Sequence, residues 1–470
     1  MKKISVLLLI ALFAGVVSCG GATEPEVTTT PDTTDAVTTE AALLPDKKFD
    51  GASFRFATYE SNLEFFYAAE QDGDMINDTV YKAVNNVTEK YDFRFEPIIY
   101  GTGNMDVEGY VNNAVLSGED AFEVVSGHSG IMWQFSLSGY FDNVRENGYH
   151  HFDEPWWIGY ANDELMVNGK QNIFSTYMSY KSLSEARCLY MNTKLAGDNN
   201  IDIPYDSVYE GSWTLDKFLN LVKDFYRDAN GNSKRDDEDI YGLMANSKLY
   251  CFQDTYIHCY NEDKDGRVSL DFDREKLINL TQSIGGVLLS SPGGYITGDE
   301  PDPKMFLNGQ SLFFYHKLQC VTTEEFREGK VEYTVLPLPK YDENQKDYVT
   351  ATVDPHCGIP VTCKNADLAH FVVEALSIEG YDNVRPVYFD QALSVKFAQN
   401  DDMPKMLQII GDNLTLDLAY IDSSPSEKSL GRFLMYQIIA KSVDNLASKM
   451  EKLIPVDQAK VDEINAYYGN

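Results

Sequence analysis

The sequence predicts an α/β protein built as two lobes, and three observations lead there. "SFRFATYE" (53–60) and "RFEPIIY" (94–100) alternate apolar and polar residues as half-buried strands do. Between them Asn77 or Asp78 is placed to cap a helix whose apolar face is Val80, Val84, Val87 and Tyr91, at three- and four-residue steps. A third strand, "AFEVVSG" (121–127), follows a helical pattern around Tyr110 to Leu116, so the first hundred residues of the body form a parallel sheet with crossover helices. The body begins near Phe49 and leaves a little over 420 residues, enough for two hydrophobic cores.

The N-terminus precedes this body with an address. Lys2 and Lys3 are followed by an apolar run from Ile4 to Val17, too short to span a bilayer, as in a secretory signal peptide. The run ends in Val16-Val17-Ser18-Cys19, which resembles a lipoprotein lipobox and marks Cys19 as the lipidated residue of an extracytoplasmic, membrane-anchored chain. From Gly20 to Asp46 the chain is rich in Thr, Pro, Ala and acidic residues, without Lys or Arg, and cannot bury enough apolar surface to offset its ordering entropy. It is expected to be a flexible tether.

Further along, "NIFSTYMSYK" (172–181) and "RCLYMNTKLA" (187–196) read as strands. "SWTLDKFLNLVKDFYRDA" (212–229) reads as a helix capped by Thr214, with Leu215, Phe218, Val222 and Phe225 as its stripe. "GQSLFFYH" (309–316) and "VEYTVLPLP" (331–339) read as strands, "ADLAHFVVEALSIEG" (366–380) as an amphipathic helix, and the remainder as mostly helical.

Composition and motif tests narrow the function. A formal net charge of −34 argues against nucleic acid and anionic lipid surfaces as partners, because both repel such a chain. No cysteine pair has the CxxC spacing of a zinc or redox site, and Cys251 with Cys259 is at most a candidate disulfide. "GTGNMD" (101–106) lacks the third glycine of a dinucleotide loop, and "SGHSG" (126–130) places Ile131 where a nucleophile elbow needs glycine. There is no HExxH, and His150-His151 reads as a loop pair. A glycosidase needs only two facing carboxylates, which 73 acidic residues leave open.

One motif is positive. "DANGNSKRDDED" (228–239) carries oxygen-bearing side chains at the spacing of a twelve-residue calcium loop. Its ligands would be Asp228, Asn230, Asn232, the carbonyl of Lys234, Asp236 and Asp239. Ser233 replaces the usual glycine at the sharp turn, Asp239 replaces the longer glutamate, and "IYGLMA" (240–245) reads as a strand instead of a second helix. The expectation is a structural Ca2+ staple; the alternative is a solvated turn.

Seven stretches in order carry a resemblance over nearly the whole mature chain: "GDMINDTVYKAVNNVTEKYDFRF", "FEVVSGHSG", "RCLYMNTKLA", "GSWTLDKFLNLVKDFYRDANGNSKRDDEDIYGL", "NGQSLFFY", "VLPLPKYDENQKDYV" and "FVVEALSIEGYDNVRPVYFD". The chain resembles the extracellular solute-binding proteins of family 1 type, the lipoproteins that deliver sugars to ABC importers. The resemblance implies a two-lobe periplasmic-binding-protein-like fold of type II with the ligand cleft between the lobes. It implies a first lobe over 49–145 with 325–382, and a second over 146–324 with 383–470, the return to the first falling around "VEYTVLPLP". Residues 1–18 are then the signal peptide and 19–48 the lipidated cysteine and tether. Its partners would be a carbohydrate, the transmembrane subunits of an ABC permease and the lipid anchor, with the protein a monomer and no enzyme. A binder of a non-sugar solute such as a peptide, and a cell-surface glycoside hydrolase, are the alternatives.

In α/β sheets ligands sit off the carboxyl ends of strands. That rule selects Glu60 after the first strand, Ser126 and His128 after the third, Tyr315 and His316 after "SLFF", and Asp354 with His356 after "YVTATV". The resemblance adds Glu185 on the crossing strand and Asp254 after "GLMANSKLY". A sugar also needs an aromatic platform, for which Trp133 is selected, whereas Trp156 and Trp157 are expected in a core.

Overall fold

A computed structural model describes residues 43–246, 249–297, 303–353, 356–393, 402–423 and 428–469; Cys19 and Asp354 lie outside them. The first sheet contains β1 (Ala52–Tyr59), β2 (Phe93–Gly101) and β3 (Val124–Gly127), with β1 central and parallel to both. Helix α1 (Met75–Tyr91) makes the β1–β2 crossover and buries Val80, Val84, Val87 and Tyr91, the stripe its spacing predicts. Its cap, however, is Asp74, whose carboxylate accepts from the N–H groups of Ile76 and Asn77. Asp78 instead turns back to accept from Asp72 and Gly73. Helices α2 (Val107–Ser117) and α3 (Ser129–Leu137) follow β2 and β3.

The second sheet is built on β4 (Arg187–Asn192), β5 (Ile240–Ala245), β6 (Ser311–Lys317) and β7 (Tyr333–Leu336), in the order β7-β4-β6-β5, with short strands Tyr226–Arg227 and Gly294–Ile296 beside β5. All six residues of β5 are buried, and Gly242 is required there because a Cβ would lie 2.2 Å from the carbonyl of Val222. β7 pairs antiparallel with β4, so "VEYTVLPLP" belongs to the second lobe and the boundary expected at 325 falls too early. The return to the first lobe is made by β8 (His356–Gly358), antiparallel to β3.

The other expected boundary also moves. Trp156, Trp157, Phe174 and Met178 pack in the first core with Phe54, Phe56 and α4 (Ala366–Glu379), so the first lobe extends well past 145. "NIFSTYMSYK" forms isolated bridges, Phe174 to Cys357 and Thr176 to Trp157, instead of a strand. Its end crosses to the second lobe through Tyr180–Glu185. At the junction a two-residue ladder pairs Thr350–Ala351 with Leu414–Thr415. The C-terminal part, including α5 (Leu418–Asp422) and α6 (Ile454–Tyr468), covers α3. Cys251 and Cys259 are both buried free thiols, not a disulfide. No helix among the described residues is long and apolar enough to cross a membrane.

Candidate functional site

The carboxyl ends of β1 and β3 face the segment that carries the chain between lobes, and the contact is polar. After β1 a turn, Glu60–Phe65, buries Asn62, which donates to Thr58 Oγ1 at 2.9 Å and Ser126 Oγ at 3.3 Å. Asn62 Oδ1 accepts from Lys181 Nζ at 2.7 Å, and Lys181 also donates to the Tyr59 hydroxyl. Lys181 thereby ties the first lobe to the crossing segment. Glu64 in the same turn is exposed, yet partial desolvation raises its carboxyl above the usual range although Lys181 is near.

One turn beyond Lys181, Glu185 pairs with Lys317 Nζ at 2.8 Å. Burial acts to raise the Glu185 carboxyl, but Lys317 and Arg187 outweigh it and hold it ionised below its ordinary value. The same two cations, together with the larger effect of burial, push His316 down to about 3. His316 Nδ1 lies 2.9 Å from Cys320 Sγ, but burial raises that thiol to about 12, so the pair holds a protonated thiol and a neutral imidazole.

Two cavities concern a ligand, the first at this seam and the second beside α3. One, of about 320 Å3, is walled by Glu64, Phe65 and Asn77 of the first lobe, Tyr180 of the crossing, and Gln319 and Thr322 of the second lobe. The other, of about 440 Å3, lies between α3 and α6 and is lined by His128, Ile131, Gln134, Asp422, Lys460 and Glu463. Both have volumes in the range of small-molecule sites.

Of the residues the sequence selects, His128 lines the second cavity and caps α3, its Nδ1 accepting from Gly130 N at 3.2 Å. Ser126 is buried against Asn62, and Glu185 is paired as above. Ser129 bridges the His356 ring and the Val353 carbonyl. Glu60 is exposed at the start of its turn. Tyr315 is buried with its ring 5.4 Å from Phe252. Asp254 is wholly buried on a short helix, Tyr250–Asp254. Trp133 is placed differently from its expectation: it is fully buried, stacked on Tyr468 and donating to Asp422 Oδ1 at 2.9 Å, so no face of it is open to a sugar. The sequence reading missed Asn62, Glu64, Lys181, Tyr180 and Gln319. Only Lys181 carried a signal, four residues before Glu185 on one helical turn.

The loop 228–239 takes the sharp turn its pattern needs, with Ser233 at φ 60° where glycine is usual. Asp228 accepts from Gly231 N and Ser233 N at 2.7 and 2.8 Å. The Asn230 and Asn232 amides converge on Asp236, and buried Asp239 accepts from Tyr226 Oη and Ala229 N. All expected donors are oxygen-bearing and gathered in one loop, and the chain continues into β5. The residue types are those of a hard-cation loop, but the Asn230 and Asn232 amides and two backbone N–H groups occupy the Asp236 and Asp228 carboxylates.

No known family's sequence profile matches the chain, and no curated protein matches it in sequence. Solved structures do match. A sugar transporter from Rhizobium etli in an open conformation aligns with TM-score 0.58 at 11% identity, over 89% of this chain and 99% of its own. M. tuberculosis UspC aligns with TM-score 0.55 at 12% identity, over 88% and 100%. An ABC substrate-binding protein from Listeria monocytogenes in complex with cycloalternan aligns with TM-score 0.53 at 12% identity, over 89% and 100%. The chain therefore has the two-lobe solute-binding-protein fold, α/β in each lobe with the cleft between them.

Proposed function

We propose that this chain is an extracytoplasmic solute-binding lipoprotein, anchored through Cys19, that captures a carbohydrate by closing its lobes and passes it to an ABC permease. The observation that carries the reading is the interlobe cavity: Phe65 and Tyr180 offer rings beside Asn77, Gln319, Thr322 and Glu64, the mixture of platform and bifunctional polar groups that a sugar demands. The likeness in fold to a sugar transporter and to a cycloalternan-bound protein supports the same ligand class. Anchoring keeps the binder near its permease at high effective concentration.

A thermal-shift screen of mono- and oligosaccharides, followed by calorimetric titration of the best, tests this. Tyr180→Ala should lose ring burial and stacking, about 2 to 3 kcal/mol, and bind tens- to hundreds-fold more weakly. Unchanged affinity in both Tyr180→Ala and Gln319→Ala would show that the cleft is misplaced. Shortened glycans in the incubation would mark an enzyme instead.

The loop 228–239 holds a structural calcium ion in this reading, its role being stability and not ligand affinity. An ion bound only by the folded chain stabilises it by RT ln(1 + [L]/Kd). EDTA should lower the melting temperature of the wild type and leave Asp228→Ala unmoved. Equal curves with and without EDTA would return the loop to a solvated turn.

A further inference from the structure

The interlobe cavity carries charge of one sign only. Glu64, Asp72 and Asp74 stand in its wall, and no Lys, Arg or His does among the described residues. Two of these carboxylates already serve the chain: Asp74 accepts from Ile76 N at 2.9 Å, Asn77 N at 3.1 Å and Gln391 Nε2 at 3.1 Å, and Asp72 accepts from Asp74 N at 2.9 Å. Glu64 makes no hydrogen bond or ion pair among the described residues, and it is exposed, so a solute entering the cavity can reach it. The cation that acts on it, Lys181, is buried, held by Tyr59 and Asn62, and not part of the wall.

The crossing segment and the second lobe each add an open neutral group. The Tyr180 hydroxyl and the Gln319 amide also make no side-chain hydrogen bond among the described residues. Burial first, then Glu64 and Asp74, raise the Tyr180 hydroxyl, which therefore stays a proton donor. Its ring centroid lies 5.0 Å from that of Phe65, the residue next to Glu64. A sugar hydroxyl or amine laid against these rings meets an acceptor in Glu64. A sugar carboxylate meets a like charge, with no cation in the wall to offset it, and a repulsive element of this kind is how a site discriminates between similar ligands.

We propose that Glu64 sets the charge class of the solute: the cavity takes neutral or amine-bearing carbohydrates and rejects acidic ones. The inference rests on the cleft reading above and narrows it.

The test is calorimetric titration of the mature chain at low salt with trisaccharides in matched sets on glucose, galactose and mannose backbones, each set holding the neutral sugar, its amine-bearing counterpart and its uronate. Any backbone that binds should do so in its neutral or amine form, with the uronate at least about tenfold weaker. High salt should narrow that gap by screening the repulsion. Glu64→Gln should narrow it by roughly threefold or more, and Asp72→Asn by less. The readout is the ratio of neutral to uronate affinity, which a merely structural role of Glu64 would not move. A uronate bound as tightly as its neutral counterpart, or a gap that Glu64→Gln leaves unchanged, overturns the proposal and leaves the carbohydrate cleft standing. Silence of the wild type toward every set overturns the cleft reading and this inference with it.

Discussion

Trp133→Ala is expected to destabilise the protein by about 3 to 5 kcal/mol, the range for removing a large buried aromatic. The indole is fully buried where α3 of the first lobe meets the C-terminal helices, stacked on Tyr468 with ring centroids 6.0 Å apart. Its loss opens a cavity and also strips Asp422 of its shortest bond, leaving the Tyr260 hydroxyl at 3.5 Å and Lys460 at 3.9 Å. Trp133→Phe keeps most of the packing and loses the bond, so it should cost only about 1 to 2 kcal/mol. Urea denaturation of the three proteins checks the order. A Trp133→Ala protein as stable as wild type, yet unable to bind sugar, would restore the ring to the cleft.

That contrast shows what the sequence carries and what it does not. The stripe of α1 and the strand β5 are local patterns, the one seen as its spacing predicts and the other where "IYGLMA" reads as a strand. An aromatic one turn past a strand end looks the same whether it faces a ligand or a helix some three hundred residues later. The partner of Trp133 is Asp422, 289 positions away, and no periodicity reports that distance. β7 alternates like any strand, so its assignment to one sheet or the other was decided only by its pairing with β4. The interlobe cavity is likewise made of Asn77, Tyr180 and Gln319, each ordinary in its own segment. The calcium-like loop was legible because all its side chains lie within twelve consecutive residues.

Glu374→Ala should be as damaging as the loss of Trp133, for a different physical reason. The Glu374 side chain on α4 is fully buried and accepts from the indole nitrogens of Trp156 and Trp157, each at 2.8 Å, and from His151 Nδ1 at 2.9 Å. His150 Nδ1 lies 3.4 Å away, and His150 Nε2 reaches His370 Nδ1 at 2.9 Å. One carboxylate therefore staples residues 150–157 to α4 and gives the two tryptophans a place in the first core. Removing it leaves several buried donors without an acceptor, a loss of about 3 to 5 kcal/mol. Glu374→Gln keeps the volume but turns an N–H group toward other donors, so it should fall between.

Acid should act through the same group. Burial acts to raise the Glu374 carboxyl, but its four donors outweigh it and set it below 4.5. The unfolded chain then takes up its proton first, so this stabilisation is complete above pH 4.5 and is lost as pH falls through the lower folded value. His150 adds to the trend, because burial keeps it neutral in the fold while the unfolded chain protonates below 6.5. Stability of the first lobe should decline from pH 6.5 downward, and below pH 4.5 the decline should be shallower in Glu374→Gln than in wild type. Denaturation midpoints measured between about pH 3.5 and 7, across both unfolded values, decide it. Parallel pH curves for the two proteins would mean that Glu374 is not the group whose titration sets the acid limit of the first lobe.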